Sequence, residues 1–271
     1  MTNMMLATPL FSDGATLSGS AVAASLPLSN LQRTPIGRIT RFITPGAVRL
    51  VIDLGDSSKA ANLVALLSHN GSIWGTARVR AANTEADLLG SPIYDSEMLP
   101  VRSNIETLGY DNAGSLEKNH FIHALSERII ARYWSIDVSD AGLPYFDVGR
   151  LYVSEAFQPS VNMDYGTQEG IIDPSAIQRT VGGRVVPLER KKYRFISLQL
   201  SFGSEDEMFG ALYQIDSTRG TTRDVLFIHD CDKKPLLQKR TIYGRMSEMN
   251  PVTNDYYRLF QKSYRIEEII E

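Results

Sequence analysis

The alternation of apolar and polar residues changes character between Val48 and Arg80, and that change organises the whole chain. Val48, Leu50 and Ile52 put one face inward before Asp53-Leu54-Gly55-Asp56 ends the strand. Leu63 to Leu67 is apolar at every position, the pattern of a strand covered on both faces. Asn70-Gly71 then signals a tight turn. From Thr76 to Ala82 alternation returns, with Ala77, Val79 and Ala81 on one side and Thr76, Arg78 and Arg80 on the other, as in a half-buried strand.

The flanking segments are read in the same way. Residues 1 to 46 hold turns at Thr34-Pro35 and Thr44-Pro45-Gly46 and an extended piece at Ser25 to Leu31, anchored through its leucines. Residues 83 to 118 are rich in breakers and present Tyr94 and Tyr110 on a long loop, with a helical turn placed at Phe121 to Ser126. Ala131 to Val138 is a strand with Trp134, Ile136 and Val138 on one side. After the Asp140-Ala141-Gly142 turn, Phe146 to Val153 returns, and Gly149 inside it marks a bulge or a close backbone approach. From Gln158 to about Lys191 the pattern dissolves into an arm or linker too long for a hairpin loop. Beyond it, Ile196, Leu198, Leu200 and Phe202 share a strand face. Ser204 and Glu207 form a capping box for an amphipathic helix near 204–217, whose stripe is Met208, Leu212 and Ile215. Strands follow at Val225 to His229, Lys239 to Tyr243 and Tyr256 to Ile266. The expected fold is mainly β: a sandwich over 1–157, an arm over 158–191, and a small β-rich domain with one helix over 192–271.

Composition narrows the function. At 271 residues the chain can bury a large core, and its formal net charge of −3 offers no general attraction to nucleic acid or anionic lipid. No apolar run is long enough to span a bilayer and the N-terminus lacks the basic start of a signal peptide, so a soluble protein without membrane insertion is expected. Cys231 is the single cysteine, which excludes an intrachain disulfide and fits assembly in a reducing compartment.

Catalytic patterns are missing: there is no phosphate-binding glycine loop, dinucleotide fingerprint, H-E-x-x-H or G-x-S-x-G. His69 reads as a turn-fixing imidazole. His229 and Cys231 share a strand face, but no second cluster completes a metal site. His120 and His123 read as surface residues. Asp137, Asp140 and Asp147 gather around one turn and serve that turn first, with a hydrolase that uses them as a carboxylate site as a third reading. No catalytic residue, metal or cofactor is therefore expected, and the chain is read as a non-enzyme. Trp74, on the loop after Asn70-Gly71, is the candidate for stacking on a sugar or meeting a partner, with Tyr94 and Tyr110 as further candidates.

The order of Ser29-Asn30-Leu31, Val51-Ile52-Asp53-Leu54-Gly55, Leu66-Leu67-Ser68-His69-Asn70, Ala77-Arg78-Val79-Arg80, Ala131 to Ile136 and Val148-Gly149-Arg150-Leu151 resembles a discoidin-like, galactose-binding-type jelly-roll sandwich. With its "LSHN" turn and "GRLYV" strand it also resembles tail-tip, baseplate and distal-tail proteins of tailed bacteriophages. Asp53, Gly55, His69, Asn70, Gly149 and Arg150 are the structural residues of that likeness. It implies a virion component, assembled in the host cytoplasm as a ring homo-oligomer and contacting other phage tail proteins. The alternative it carries is a carbohydrate-binding module for host surface glycan.

Overall fold

The computed structural model describes residues 3–102, 119–179, 181–232 and 236–270. The chain is mainly β, and among the described residues three large antiparallel sheets and the helix over Asp206–Arg219 stack as four layers. The outer sheet runs Thr16–Gly19, Gly46–Asp53, Tyr133–Asp140, Thr76–Ala82, Tyr94–Asp95, with Leu99–Pro100 also paired to Thr76–Ala82. It faces a middle sheet of Thr40–Phe42, Phe146–Ser154, Ala60–His69 and His120–Ile130. Trp134, Ile52, Val79 and Ile136 from the first meet Val64, Leu66, Leu151 and Val153 from the second, which makes the sandwich.

The continuous apolar run in Ala60–His69 has its reason on the far side of that strand. While Val64 and Leu66 enter the sandwich core, Leu63, Ala65 and Leu67 pack against Met5, Ala7, Leu226, Ile228 and Tyr243. Those residues belong to a third sheet, ordered Met5–Ala7, Val225–Ile228, Thr241–Met246, Leu259–Glu268, Tyr193–Gly203, Gln168–Ile172. Its other face carries Ile196, Leu198 and Leu200 against Met208, Leu212 and Ile215 of the helix. That helix starts at the capping box: Glu207 N–H donates to Ser204 Oγ at 3.3 Å, and Ser204 N–H donates to Glu207 Oε2 at 2.9 Å. Its first stretch, Asp206–Leu212, is wound as a π-helix and Tyr213–Arg219 as an α-helix. Among the described residues no helix is long and apolar enough to cross a membrane.

Several local expectations give way to tertiary pairing. Phe121 to Ser126 is no helical turn but part of the His120–Ile130 strand, held in register opposite Leu63–Leu67. Phe202 does not join Ile196, Leu198 and Leu200, because the pairing with Leu259–Glu268 shifts between Leu200 and Gly203 and leaves it exposed. His120 lies buried, not at the surface: its Nδ1 accepts from Ser68 N–H at 3.1 Å, and its N–H donates to Gln238 Oε1 at 2.9 Å. Residues 158–191 contain Gln168–Ile172 and a separate hairpin, Ala176–Arg179 paired with Val185–Leu188. Exposed strands carry no burial period for a sequence to display. The N-terminal Met5–Ala7 joins the third sheet through Val225–Ile228 before the sandwich begins.

A buried charge network ties the layers. The Arg150 guanidinium, fully buried, donates from Nε to Asp224 Oδ2 at 3.0 Å and from Nη1 to Asp13 Oδ1 at 2.6 Å and Leu31 O at 3.0 Å. Tyr152 and Tyr243 hydroxyls donate to Asp224 at 2.9 and 3.2 Å, and Arg219 lies within 3.9 Å of both carboxylates. Burial pushes the Asp224 carboxyl up, but Arg150, Tyr152 and Arg219 reverse that and hold it below the usual range. Breaking one side of such a pair strands a charge in a dry place. Arg150→Ala is expected to cost about 3–5 kcal/mol in urea unfolding, against about 1 kcal/mol or less for Arg128→Ala in the exposed 2.5 Å pair with Glu155. Equal losses in the two variants would show that the network does not hold the layers.

Candidate functional site

Register brings three loops to one end of the sandwich. Gly46 pairs with Asp140, Thr76 with Ser139, His69 with Val148 and Phe42 with Phe146. The 43–45, 70–75 and 141–145 connections therefore emerge side by side. Asn70 joins two of them: its Oδ1 accepts from Asp147 N–H at 2.8 Å and its Nδ2 donates to Tyr145 O at 3.2 Å.

The 70–75 loop is clamped from beneath. Asp140 Oδ2 accepts from Ser72 N–H at 2.6 Å, Asp140 Oδ1 from Ser72 Oγ at 3.0 Å, and Ser72 Oγ accepts from Trp74 N–H at 3.2 Å. Buried His69 accepts from Gly71 N–H at 3.1 Å through Nδ1 and stacks on Phe146 with centroids 5.8 Å apart. Burial first, and Arg102 second, push this imidazole down to about 3, so it is neutral and serves as a scaffold for the turn. Above these clamps the Trp74 indole stands 84% exposed, with Ile73 exposed beside it in the chain. On the neighbouring loops lie exposed Ile43 and Tyr145. The Arg41 guanidinium sits 4.0 Å over the Tyr145 ring and grips Asp147 with two bonds of 2.8 Å. The result is an apolar, aromatic end surface whose polar neighbours are held in fixed positions.

The other expected residues fall elsewhere. Asp53 closes the opposite end of its strand, accepting from Arg132 at 2.8 and 2.9 Å and from Gly55 N–H at 2.8 Å. The Arg132 bond foremost holds its carboxyl down at about 2, and Gly55 makes the turn at φ 74°. Gly149 is a close approach: a Cβ there would lie 2.5 Å from Ile36 O. Arg150 belongs to the buried network. Tyr94 pairs with Ala81, five residues along the strand from Thr76 and so roughly 17 Å from the Trp74 end. Its hydroxyl meets His123 Nε2 at 2.6 Å, so it is not a loop aromatic. Tyr110 lies outside the described residues. The Asp137, Asp140 and Asp147 carboxylates are each engaged, Asp137 by Arg49 at 2.5 Å and Arg80 at 3.3 Å, Asp140 by Ser72 and Asp147 by Arg41. Among the described residues no group of three or more His, Cys, Asp or Glu side chains is placed to hold a metal ion.

Sequence reasoning found Trp74 through its Asn-Gly turn but missed Tyr145, Arg41, Ile43 and Ile73. The available signal was that Tyr145 follows a Gly142-Leu143-Pro144 turn, which pairing places at the same end as Asn70-Gly71.

No family model matches the chain, and no curated protein matches it. Solved structures with some similarity include the family 32 carbohydrate-binding module of C. perfringens NanJ, determined with galactose. It is 15% identical, with a TM-score of 0.41 over 56% of this chain and 99% of that one. The family 32 module of AlyQ, in complex with 4,5-unsaturated mannuronic acid, is 15% identical with a TM-score of 0.36 over 52% and 94%. A Streptococcus pneumoniae fucose binding module is 10% identical with a TM-score of 0.36 over 51% and 89%.

His69 sets a pH limit on the loop. Its pKa in the fold lies below the ordinary 6.5, so the unfolded chain takes up the proton first as pH falls. The stability it contributes is full above pH 6.5 and drains away towards pH 3. His69→Gln is expected to flatten the urea midpoint between pH 6.5 and 5, and an unchanged slope would mean that the imidazole is not held neutral.

Proposed function

We propose that the chain is a non-enzymatic glycan-recognition protein and that the Trp74 end of the sandwich is its sugar-contacting surface. The observation that carries this reading is an indole 84% exposed on a loop whose backbone is fixed by Asp140, Ser72 and Asn70. A large apolar ring left in water marks a contact surface, and a flat aromatic face suits the C–H face of a pyranose. Because the loop is already ordered, binding loses little conformational entropy. Tyr145, stiffened by Arg41, adds a second ring, and the neighbouring Arg41, Asn70 and Ser72 supply polar groups at its border. Glycan-array binding followed by calorimetry tests this. Trp74→Ala is expected to weaken binding at least about tenfold, or 1.4 kcal/mol, while the unfolding midpoint stays in place. An intact protein that binds no glycan on a broad array sinks the reading.

A second reading concerns where such a protein works: as a structural component of a bacteriophage tail tip or baseplate, ring-forming and in contact with other tail proteins. It is supported by the motif order from Ser29 to Leu151 and by the hairpin Ala176–Arg179/Val185–Leu188, which stands outside the three large sheets. Purified phage particles supply the test: the chain should be present in tail fractions and bound by antibody at the tail tip. Its absence from particles would end that placement.

A further inference from the structure

The hairpin and the outer face of the helix are each left uncovered, and they are opposite in chemistry. Ala176–Arg179 and Val185–Leu188 pair with each other in a sheet of their own, and every residue of both strands is exposed. A two-stranded ribbon with nothing packed on it is marginal in water. This one shows Ile177, Val185, Val186 and Leu188 to solvent. Its flanks are basic: from Asp173 to Lys192 the segment holds Arg179, Arg184, Arg190, Lys191 and Lys192 against only Asp173 and Glu189.

The helix has already used one apolar stripe, Met208, Leu212 and Ile215, on the third sheet. It carries a second. Phe209 and Tyr213, four residues apart, are exposed, and so is Phe202, swung outward by the register shift at the end of its strand. Phe209 is held edge-on against Phe260 with centroids 5.3 Å apart, so the patch has a fixed shape. Glu205 and Asp206, at the start of the same helix one turn before Phe209, stand exposed.

We propose that the basic, aliphatic hairpin of one copy docks on the acid-rimmed aromatic helix face of a second copy. The charges select the partner and the apolar residues of both patches are covered together. Within one chain both patches remain exposed, so the contact is made between chains. Since the two patches differ, the contact is heterologous, and repetition of it closes a ring or continues as a filament. This deepens the tail-tip reading and rests on it only for the biological setting, while the glycan reading is independent of it.

Sedimentation velocity on the full chain tests the contact. The wild type is expected to form oligomers that salt weakens. Arg179→Glu with Arg190→Glu, or Glu205→Lys with Asp206→Lys, should each raise the dissociation constant at least about tenfold. Mixing the two charge-reversed proteins restores both kinds of contact and should restore assembly, as should one chain carrying all four changes. All four positions are exposed, so unfolding midpoints serve as the control for folding. A wild type that stays monomeric overturns the proposal, as do oligomers that survive both reversals or reversed proteins that fail to rescue one another. Absence of the protein from phage particles would remove the tail-tip setting and leave the measured contact in place.

Discussion

Arg150 carries its charge where water does not reach, and it is tolerated there because Asp13 and Asp224 were brought in from opposite ends of the chain. Asp13 ends the short helix Leu10–Asp13, Arg150 lies in the middle sheet, and Asp224 stands one residue before Val225–Ile228 of the third. Thr34, Tyr152 and Tyr243 supply the remaining hydrogen bonds on Asp224. Desolvating ions is costly unless each lone pair and proton is matched, so the network is satisfied only when all these segments meet at once. It thereby adds polar contacts between the sandwich and the third sheet to the apolar packing that already joins them.

The same strand that supplies Arg150 also reaches the exposed end. Asp147 lies three residues earlier, where it receives Arg41 and faces Asn70. The Trp74 end of the sandwich is thus an extension of the middle layer, not a set of loops hung on its border. Loops positioned by a stiff scaffold are the usual carriers of binding, and here Asp140 and His69 make the scaffold reach into the loop itself. The hairpin pairs outside the two sheets of the sandwich, and the helix packs on the far face of the third sheet.

Legibility in the sequence follows burial. Val48 to Ile52, Leu63 to Leu67 and Thr76 to Ala82 are readable because exposure repeats with the pleat, except at Val51 and Ala82, which Leu88 covers on the outer face, or is uniformly absent. The capping box at Ser204 and Glu207 was readable because its chemistry is local. Gln168–Ile172 and the hairpin are not, since the hairpin is wet on both faces and Gln168–Ile172 is at most half-buried on one. Met5–Ala7 was hidden for another reason: its partner, Val225–Ile228, lies more than two hundred residues away, and nothing local records that pairing. At the site, an Asn-Gly turn announced the Trp74 loop. Tyr145 became relevant only through register, and Tyr94 lost its candidacy when its strand and His123 took it up.

The strand Ala60–His69 gives the architecture a historical and practical edge. Leu63, Ala65 and Leu67 are covered by the third sheet, so a sandwich cut away from it would present a greasy back to water. Apolar packing along this strand joins the sandwich to its neighbour. A genome that borrowed it would have to borrow both halves or repaint that face with polar side chains, and an engineer grafting the Trp74 end onto another carrier meets the same choice.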